Sequence, residues 1–503
     1  SASTSEAFSY NGDLNIAFGK LFVEKHQVNV VGGWSFSENK NKRDGYSVVG
    51  FNDDLHMNPA FSTGFTDGQK PNYSLERSRS TSFFMNVNYS FMNRYLMDFN
   101  VRSDGTSKFG ANKRFSTTWS VGLAWNIHNE EFMKSLGLFT NFKIRASVGN
   151  PGNQNFDAYQ AMKIYKYNVE LQNMFGSSAI IDQFGNKDLD WQRTLDKNIG
   201  VDISMLRNRI RVTLDYYYKD TDPLLISVPM PPSVGVGSIN ANAGRQLSWG
   251  WNGSFFGTVI QKQNMSWTLN VNFRTSKSEY RDIGDKLNEF NELGSAQSLV
   301  RYYEGASPDD MWAVPSLGID PATGAEMFRK KDGSQTFIYS TADEVVVGCS
   351  RPDVEGVIGS SFYYKGFSAS VNFRYRLGGE VMASALYSKV ENISEEQIYY
   401  NQDKRALHDR WKQPGDKAKF KSIKDNSPTP MSSRFVRTEN TFSGESISMG
   451  YESSAAWIKK IGAEGITFRA YMNDIFRLSS FKEERGTDYP FARTVSFSLS
   501  LRF

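Results

Sequence analysis

Thr81 to Arg102 reads TSFFMNVNYSFMNRYLMDFNVR, two alternating runs joined by Met92-Asn93. In the first run Phe83, Met85, Val87, Tyr89 and Phe91 share a face opposite Asn86, Asn88 and Ser90. In the second, Tyr95, Met97, Phe99 and Val101 oppose Asp98, Asn100 and Arg102. Period-two alternation makes half-buried strands, and so short a link makes an antiparallel hairpin. One face is apolar and aromatic and the other is polar or charged. The same sorting recurs from one end of the chain to the other, which restricts the fold to a very large antiparallel sheet with one greasy side.

In chain order, the first hairpin spans Phe8–Phe18 and Val23–Phe36, with a tight connection expected at Gly19-Lys20. A long polar loop follows, to about Leu75, before the hairpin above. Phe115–Asn129 comes next, with Trp119, Val121, Leu123, Trp125 and Ile127 on one face, and then Asn141–Gly149. The pairs Leu195–Met205 with Arg209–Asp220, Arg245–Ile260 with Met265–Tyr280, and Val354–Tyr364 with Phe367–Leu377 follow. Phe442–Glu452, Ile466–Phe476 and Arg493–Phe503 close the chain. These are about fifteen strands of roughly ten residues, the length that crosses a bilayer when tilted.

Short turns alternate with long loops, the longest being Arg281–Pro352 and Gly379–Thr441. A soluble sandwich has no reason to keep that rhythm, whereas an outer-membrane barrel has periplasmic turns on one rim and extracellular loops on the other. The mean hydropathy of −0.50 does not oppose this, because lumen-facing residues and loops dilute the lipid-facing ones. The 37 Phe, 24 Tyr and 10 Trp suit interfacial girdles. A balance of 58 basic against 54 acidic residues gives no footprint for nucleic acid. The opening SASTSEAFSY has neither the basic nor the apolar region of an export signal. An odd strand count leaves a barrel of this type unclosed, so further strands are expected from upstream sequence.

Four segments together resemble the SusC/RagA-like family of TonB-dependent outer-membrane transporters of the Bacteroidetes. They are RSDGTSKFGANKRFSTTWSVGLAW (Arg102–Trp125), KIRASVGNPGNQNF (Lys143–Phe156), DRWKQPGDKAKF (Asp409–Phe420) and YPFARTVSFSLSLRF (Tyr489–Phe503). Phe503, ending an alternating strand, resembles the signal by which such barrels are assembled. The resemblance implies a transmembrane barrel of about 22 strands filled by an N-terminal plug. It also implies a SusD-like lipoprotein lid and energy supplied through TonB. Residues 1–503 are then the C-terminal portion of one barrel domain, with the plug and N-terminal strands upstream.

No catalytic constellation stands out. His26, His56, His128 and His408 are scattered, and the single Cys349 matches no metal spacing. Gly235-Val236-Gly237 lacks the strand-to-helix setting of a phosphate cradle. Asp309-Asp310 and the Asp320–Gly324 turn have calcium-type donors, and turn chemistry accounts for them. The lysines of KQPGDKAKFKSIKD read as a solvated face. Binding is the better prospect. Tyr302, Tyr303, Trp312, Tyr399, Tyr400 and Trp411 lie in the long loops, where aromatic faces suit sugar rings or peptide side chains, or pack the loops themselves. Asp98, Arg102, Lys143, Arg145, Asp215, Arg274, Arg374 and Arg469 fall on the lumen face, where they meet solute or pair with the plug. The expectation is a non-enzymatic, cofactor-free importer of oligosaccharides or oligopeptides. A passive porin or structural barrel is the alternative, and a soluble adhesin is a third class.

Overall fold

Alternation becomes register in the computed structural model. It describes every residue except 1, 51–57, 59–60, 66–70, 108–113, 152–162, 175, 185–191, 230–237, 243, 289–290, 292–297, 395, 461 and 482–492. Gly235-Val236-Gly237, His56 and parts of the loops after Ser107, Pro151 and Phe481 lie outside the described residues. The principal strands are β1 (Ala2–Phe22), β2 (His26–Tyr46), β3 (Asn72–Phe91), β4 (Tyr95–Thr106), β5 (Phe115–Asn126), β6 (Phe139–Asn150), β7 (Thr194–Met205) and β8 (Ile210–Thr221). They continue as β9 (Arg245–Lys262), β10 (Met265–Arg274), β11 (Lys277–Arg281), β12 (Val354–Tyr364), β13 (Phe367–Leu377), β14 (Thr441–Ser453), β15 (Gly465–Ser479) and β16 (Val495–Arg502). All belong to one sheet whose path follows chain order from β1 to β16, with β11 branching off to pair with β9. The chain divides into two compact units, residues 1–125, 146–197 and 221–243 in the first, and 126–145, 198–220 and 244–503 in the second.

In the first unit the cross-strand rows place like with like. Phe22, His26, Phe91, Tyr95 and Trp125 are successive partners across β1 to β5. Ten residues along β3, the row is Gly12, Phe36, Thr81, Gly105 and Phe115. Between them run rows such as Phe18, Val30, Val87, Phe99 and Val121. Ten residues at about 3.3 Å each, tilted about 40°, rise about 25 Å, the height of a barrel's apolar band. Ile16, Phe18, Phe83, Met85 and Leu123 are exposed on this face. No second layer of protein covers them among the described residues.

Several boundaries differ from the sequence reading. The first hairpin turns at Val23 and Glu24, with φ of 50° and 57°, and Gly19 lies within β1 opposite Asn29. Positive φ at both central residues is the two-residue hairpin geometry. Glycine marks the easy place for it, but matching the apolar rows of β1 and β2 decides where it falls. The second hairpin turns as expected at Met92 and Asn93, φ 51° and 55°. β1, β2 and β3 have 21, 21 and 20 residues, so the first long loop shrinks to residues 47–71. β5 ends at Asn126, and Ile127–Asn129 is a 3-10 turn that buries Ile127. Met265–Tyr280 is broken at Thr275-Ser276, where Thr275 bonds back to Trp251 through both backbone and hydroxyl.

The two longest loops are not loose. In the second unit they form short ladders, Asp310–Ala313 with Val345–Cys349, Ser316–Ile319 with Glu326–Arg329, and Glu380–Met382 with Val436–Thr438. Leu299, Ala313 and Val436 make one small core, and Val390, Ala406 and Phe420 another.

Candidate functional site

Alternation sends Arg145 of β6, Asp202 of β7 and Asp215 of β8 to the polar face, and adjacency brings them together. Arg145 Nε donates to Asp202 at 2.9 Å and an Nη donates to Asp215 at 2.8 Å, while Thr213 donates to the other Asp202 oxygen at 3.1 Å. Gly200 makes the room. A Cβ there would fall 2.3 Å from Asp215 Oδ1 and 2.8 Å from Arg145 Cζ. Arg102 is held by Asp104 at 2.7 Å and Ser82 at 2.9 Å. Asp98 accepts from Asn88, and Arg374 meets Glu445, the bulged residue of β14, at 3.2 Å. Lys143 is half-buried, and Arg274 and Arg469 are exposed. Of the eight expected lumen charges, only Arg145 and Asp215 touch each other. Asp202 joins them from outside those eight, at a place on the polar face that the alternation of β7 also dictates.

The loop layer is tied by buried charge. Arg434 donates to Glu326 and to Glu391 at 2.8 Å each, and its guanidinium lies 4.5 Å from the Phe435 ring centroid. Ser432 donates to Glu326, and Thr429 donates to Glu391 at 3.1 Å. Arg410 donates to the carbonyls of Val390, Glu391 and Lys421. Arg301, only 1% exposed, makes a two-point pair with Glu344 at 2.7 Å. Removing one member of a desolvated pair of this kind costs about 3–5 kcal/mol, because its partner is left charged and unpaired. Glu326 comes from one long loop and Glu391 and Arg434 from the other, so Arg434 welds the two. Backbone bonds from Ser433 to Val314 and from Gly415 to Pro321 cross the same seam. No periodicity announces such a network.

The six loop aromatics separate into two kinds. Tyr303 and Trp312 pack with centroids 4.6 Å apart, and Tyr302 packs on Tyr280 at 5.6 Å. Trp411 donates to the Pro321 carbonyl at 2.9 Å and lies against Gly324. These four anchor the layer. Tyr399 and Tyr400 are 90% and 75% exposed, and they alone of the six present open faces. A cleft of about 740 Å³ in the second unit is lined by Trp249, Lys277, Glu279, Asp310, Arg351 and Glu380, an aromatic among charges of both signs.

The remaining candidates resolve into local chemistry. Asp320 accepts from Thr323 through N at 3.1 Å and Oγ1 at 2.7 Å, a turn that closes on itself. Asp309 pairs with Arg351 at 2.7 Å, and Asp310 accepts from the Ser307 amide at 2.8 Å. Among the described residues, no three His, Cys, Asp or Glu side chains gather as a metal set. Burial raises the Cys349 thiol above its ordinary pKa, against thiolate reactivity. Lys421 corrects the solvated reading of its loop. It is buried, donates to the Ser427 carbonyl, and has its pKa lowered by that burial. Phe503 follows β16 and is exposed.

The family model described as TonB dependent receptor-like, beta-barrel matches residues 2–342. The chain belongs to this family. As a TonB-dependent receptor-like barrel it is an outer-membrane protein, and its family is a receptor class, not an enzyme class. It is 24% identical to TonB-dependent receptor P39 of Formosa agariphila, over 94% of this chain and 50% of that protein. It is 26% identical to TonB-dependent receptor SusC of Bacteroides thetaiotaomicron, over 85% and 44%. Among solved structures it is similar to the RagAB peptide transporter, with a TM-score of 0.84 and 21% identity, covering 95% of this chain and 52% of that one. These matches bear out the resemblance carried by the four segments. The barrel chain spans about half the length of the curated relatives it matches.

Proposed function

We propose that the complete protein imports an oligosaccharide or oligopeptide across the outer membrane with energy supplied through TonB. The observation that carries this reading is the welded loop layer, with Tyr399 and Tyr400 turned to solvent above it. A layer built on buried ion pairs suits capture and closure, whereas a passive pore needs only a rim. The relative named TonB-dependent receptor SusC supports the TonB dependence, and the similarity to the RagAB peptide transporter supports a peptide cargo. On this reading upstream sequence supplies the plug, the TonB-contacting segment and the missing strands. Those strands pair with the edges at β1 and β16, because each unpaired backbone group in lipid costs several kcal/mol. A SusD-like lipoprotein closes over the loops. Tyr399 and Tyr400, then Lys143, Arg274 and Arg469, contact the solute in turn.

The test is growth on defined oligosaccharides and on defined peptides as sole nutrient. Deleting the gene, or deleting tonB alone, is expected to abolish growth on the cognate class. Growth that needs the gene but survives loss of TonB would favour the passive porin. With the solute in hand, the double substitution Tyr399→Ala/Tyr400→Ala is expected to weaken capture by about tenfold, the loss of two stacking faces, measured by calorimetry on the purified protein.

A further inference from the structure

In the second unit, arginines gather on the polar face where the long loops enter the sheet. Phe373, Tyr375 and Leu377 share the apolar face of β13, so Arg374 and Arg376 fall on the other. Register carries one row through Arg274, Glu355 and Arg376, and the next through Arg374, Ser443 and Arg477. β13 ends at Leu377 and β14 begins at Thr441, which sets both rows at the loop end of these strands. They border a pocket of about 280 Å³. A bulge shapes it. Glu445 of β14 is skipped in the pairing with both neighbours, and Asp474 and Ile475 of β15 lie out of register opposite it, with Asp474 at φ 50°. Bulges re-aim side chains in this way. Arg374, Arg376 and Arg477 line the pocket against two acids, Glu445 and Asp474.

The acids leave two of these cations under-used. Arg477 donates to Glu439 at 2.7 Å, and Glu445 accepts from Ser443 Oγ at 3.0 Å. Glu445 also meets Arg374 at 3.2 Å, while Glu355 stands 3.6 Å from Arg376, too far for a hydrogen bond. Each of these two forks, with five donors, therefore has one acid contact among the described residues. Arg376 Nε is covered and has no hydrogen-bond partner, a state that buried donors rarely keep. The side chains of Arg374 and Arg376 are still 55% and 38% exposed, so a solute in the lumen can reach them.

We propose that Arg374 and Arg376 form a carboxylate subsite at the mouth of the lumen, which selects solutes bearing acidic groups. The proposal rests on the import reading above and adds the chemistry of the cargo. A guanidinium takes a planar carboxylate by two parallel N–H bonds. The two forks stand two residues apart on one strand, roughly 6.6 Å, so neighbouring acids of one solute engage both. Ser443 and Thr441 add hydroxyls at the pocket wall.

Uptake of paired probes by cells producing the full-length protein tests this. One pair is a glutamate-containing oligopeptide and the same peptide with glutamine. The other is an oligogalacturonate and its methyl ester. The wild type is expected to take up the acidic member of one pair about tenfold better than its neutral twin, and the pair concerned identifies the source of the carboxylate. Arg374→Gln/Arg376→Gln is expected to abolish that preference, and Arg374→Lys/Arg376→Lys to keep part of it. Heat-modifiable migration on gels confirms that each variant is folded. Equal uptake of acidic and neutral twins by the wild type would overturn the subsite and leave the import reading standing. So would a glutamine variant that loses both twins in proportion, the mark of a structural role. Uptake that survives deletion of tonB would sink the import reading, while an acid preference lost in the glutamine variant would still support the subsite.

Discussion

Arg145 shows what one position can decide. Its two carboxylate partners come from neighbouring strands, and the clamp closes only because residue 200 has no side chain. Gly200→Ala is expected to force Asp215 or Arg145 aside and to cost about 1–3 kcal/mol, the usual range for overpacking. The check is the temperature at which the barrel loses its compact gel migration, which should fall. Gly64→Ala, whose added methyl would meet nothing within 4 Å, should leave it unchanged. Two of the three charges of this clamp were legible in the sequence. Alternation placed Arg145 and Asp215 on the polar face, and it placed Asp202 there equally well. What alternation cannot supply is which strands are neighbours at which height, and hence that three of these charges meet.

At the level of elements, strands were far more readable than loops. Period two is imposed by the backbone itself, so β12 and β13 lie where the sequence puts them. The Gly19-Lys20 turn failed because permissive backbone is a local signal, overruled by pairing along a 21-residue strand. The long loops had no period to read, and their ladders and small cores went unseen. Their aromatics were visible as residues, but four of six proved to be anchors. Arg434→Ala is expected to leave Glu326 and Glu391 facing each other uncompensated, at a cost of about 3–5 kcal/mol. Limited proteolysis should then cut within residues 282–353 and 378–440 together, with the barrel strands intact. Cleavage confined to one loop would contradict the weld.

For the whole molecule, the decisive property is which side of the sheet meets lipid. Val87 lies near the middle of the apolar band, one residue from lumen-side Asn88. Val87→Arg is expected to destabilise the folded barrel by about 2–4 kcal/mol, as for a cation at the midplane, and Asn88→Arg by far less. Urea titration of the full-length protein in lipid vesicles reads the difference, and equal effects would reverse the assignment of faces. The first three strands carry a different consequence. Above the row of Thr81 they continue through Asn72 of β3 and Tyr46 of β2, roughly 30 Å of added ribbon at about 3.3 Å per residue. An antibody or a phage fibre arriving from solution therefore finds exposed rings at Tyr46 and Tyr73 on that ribbon, well clear of the apolar band.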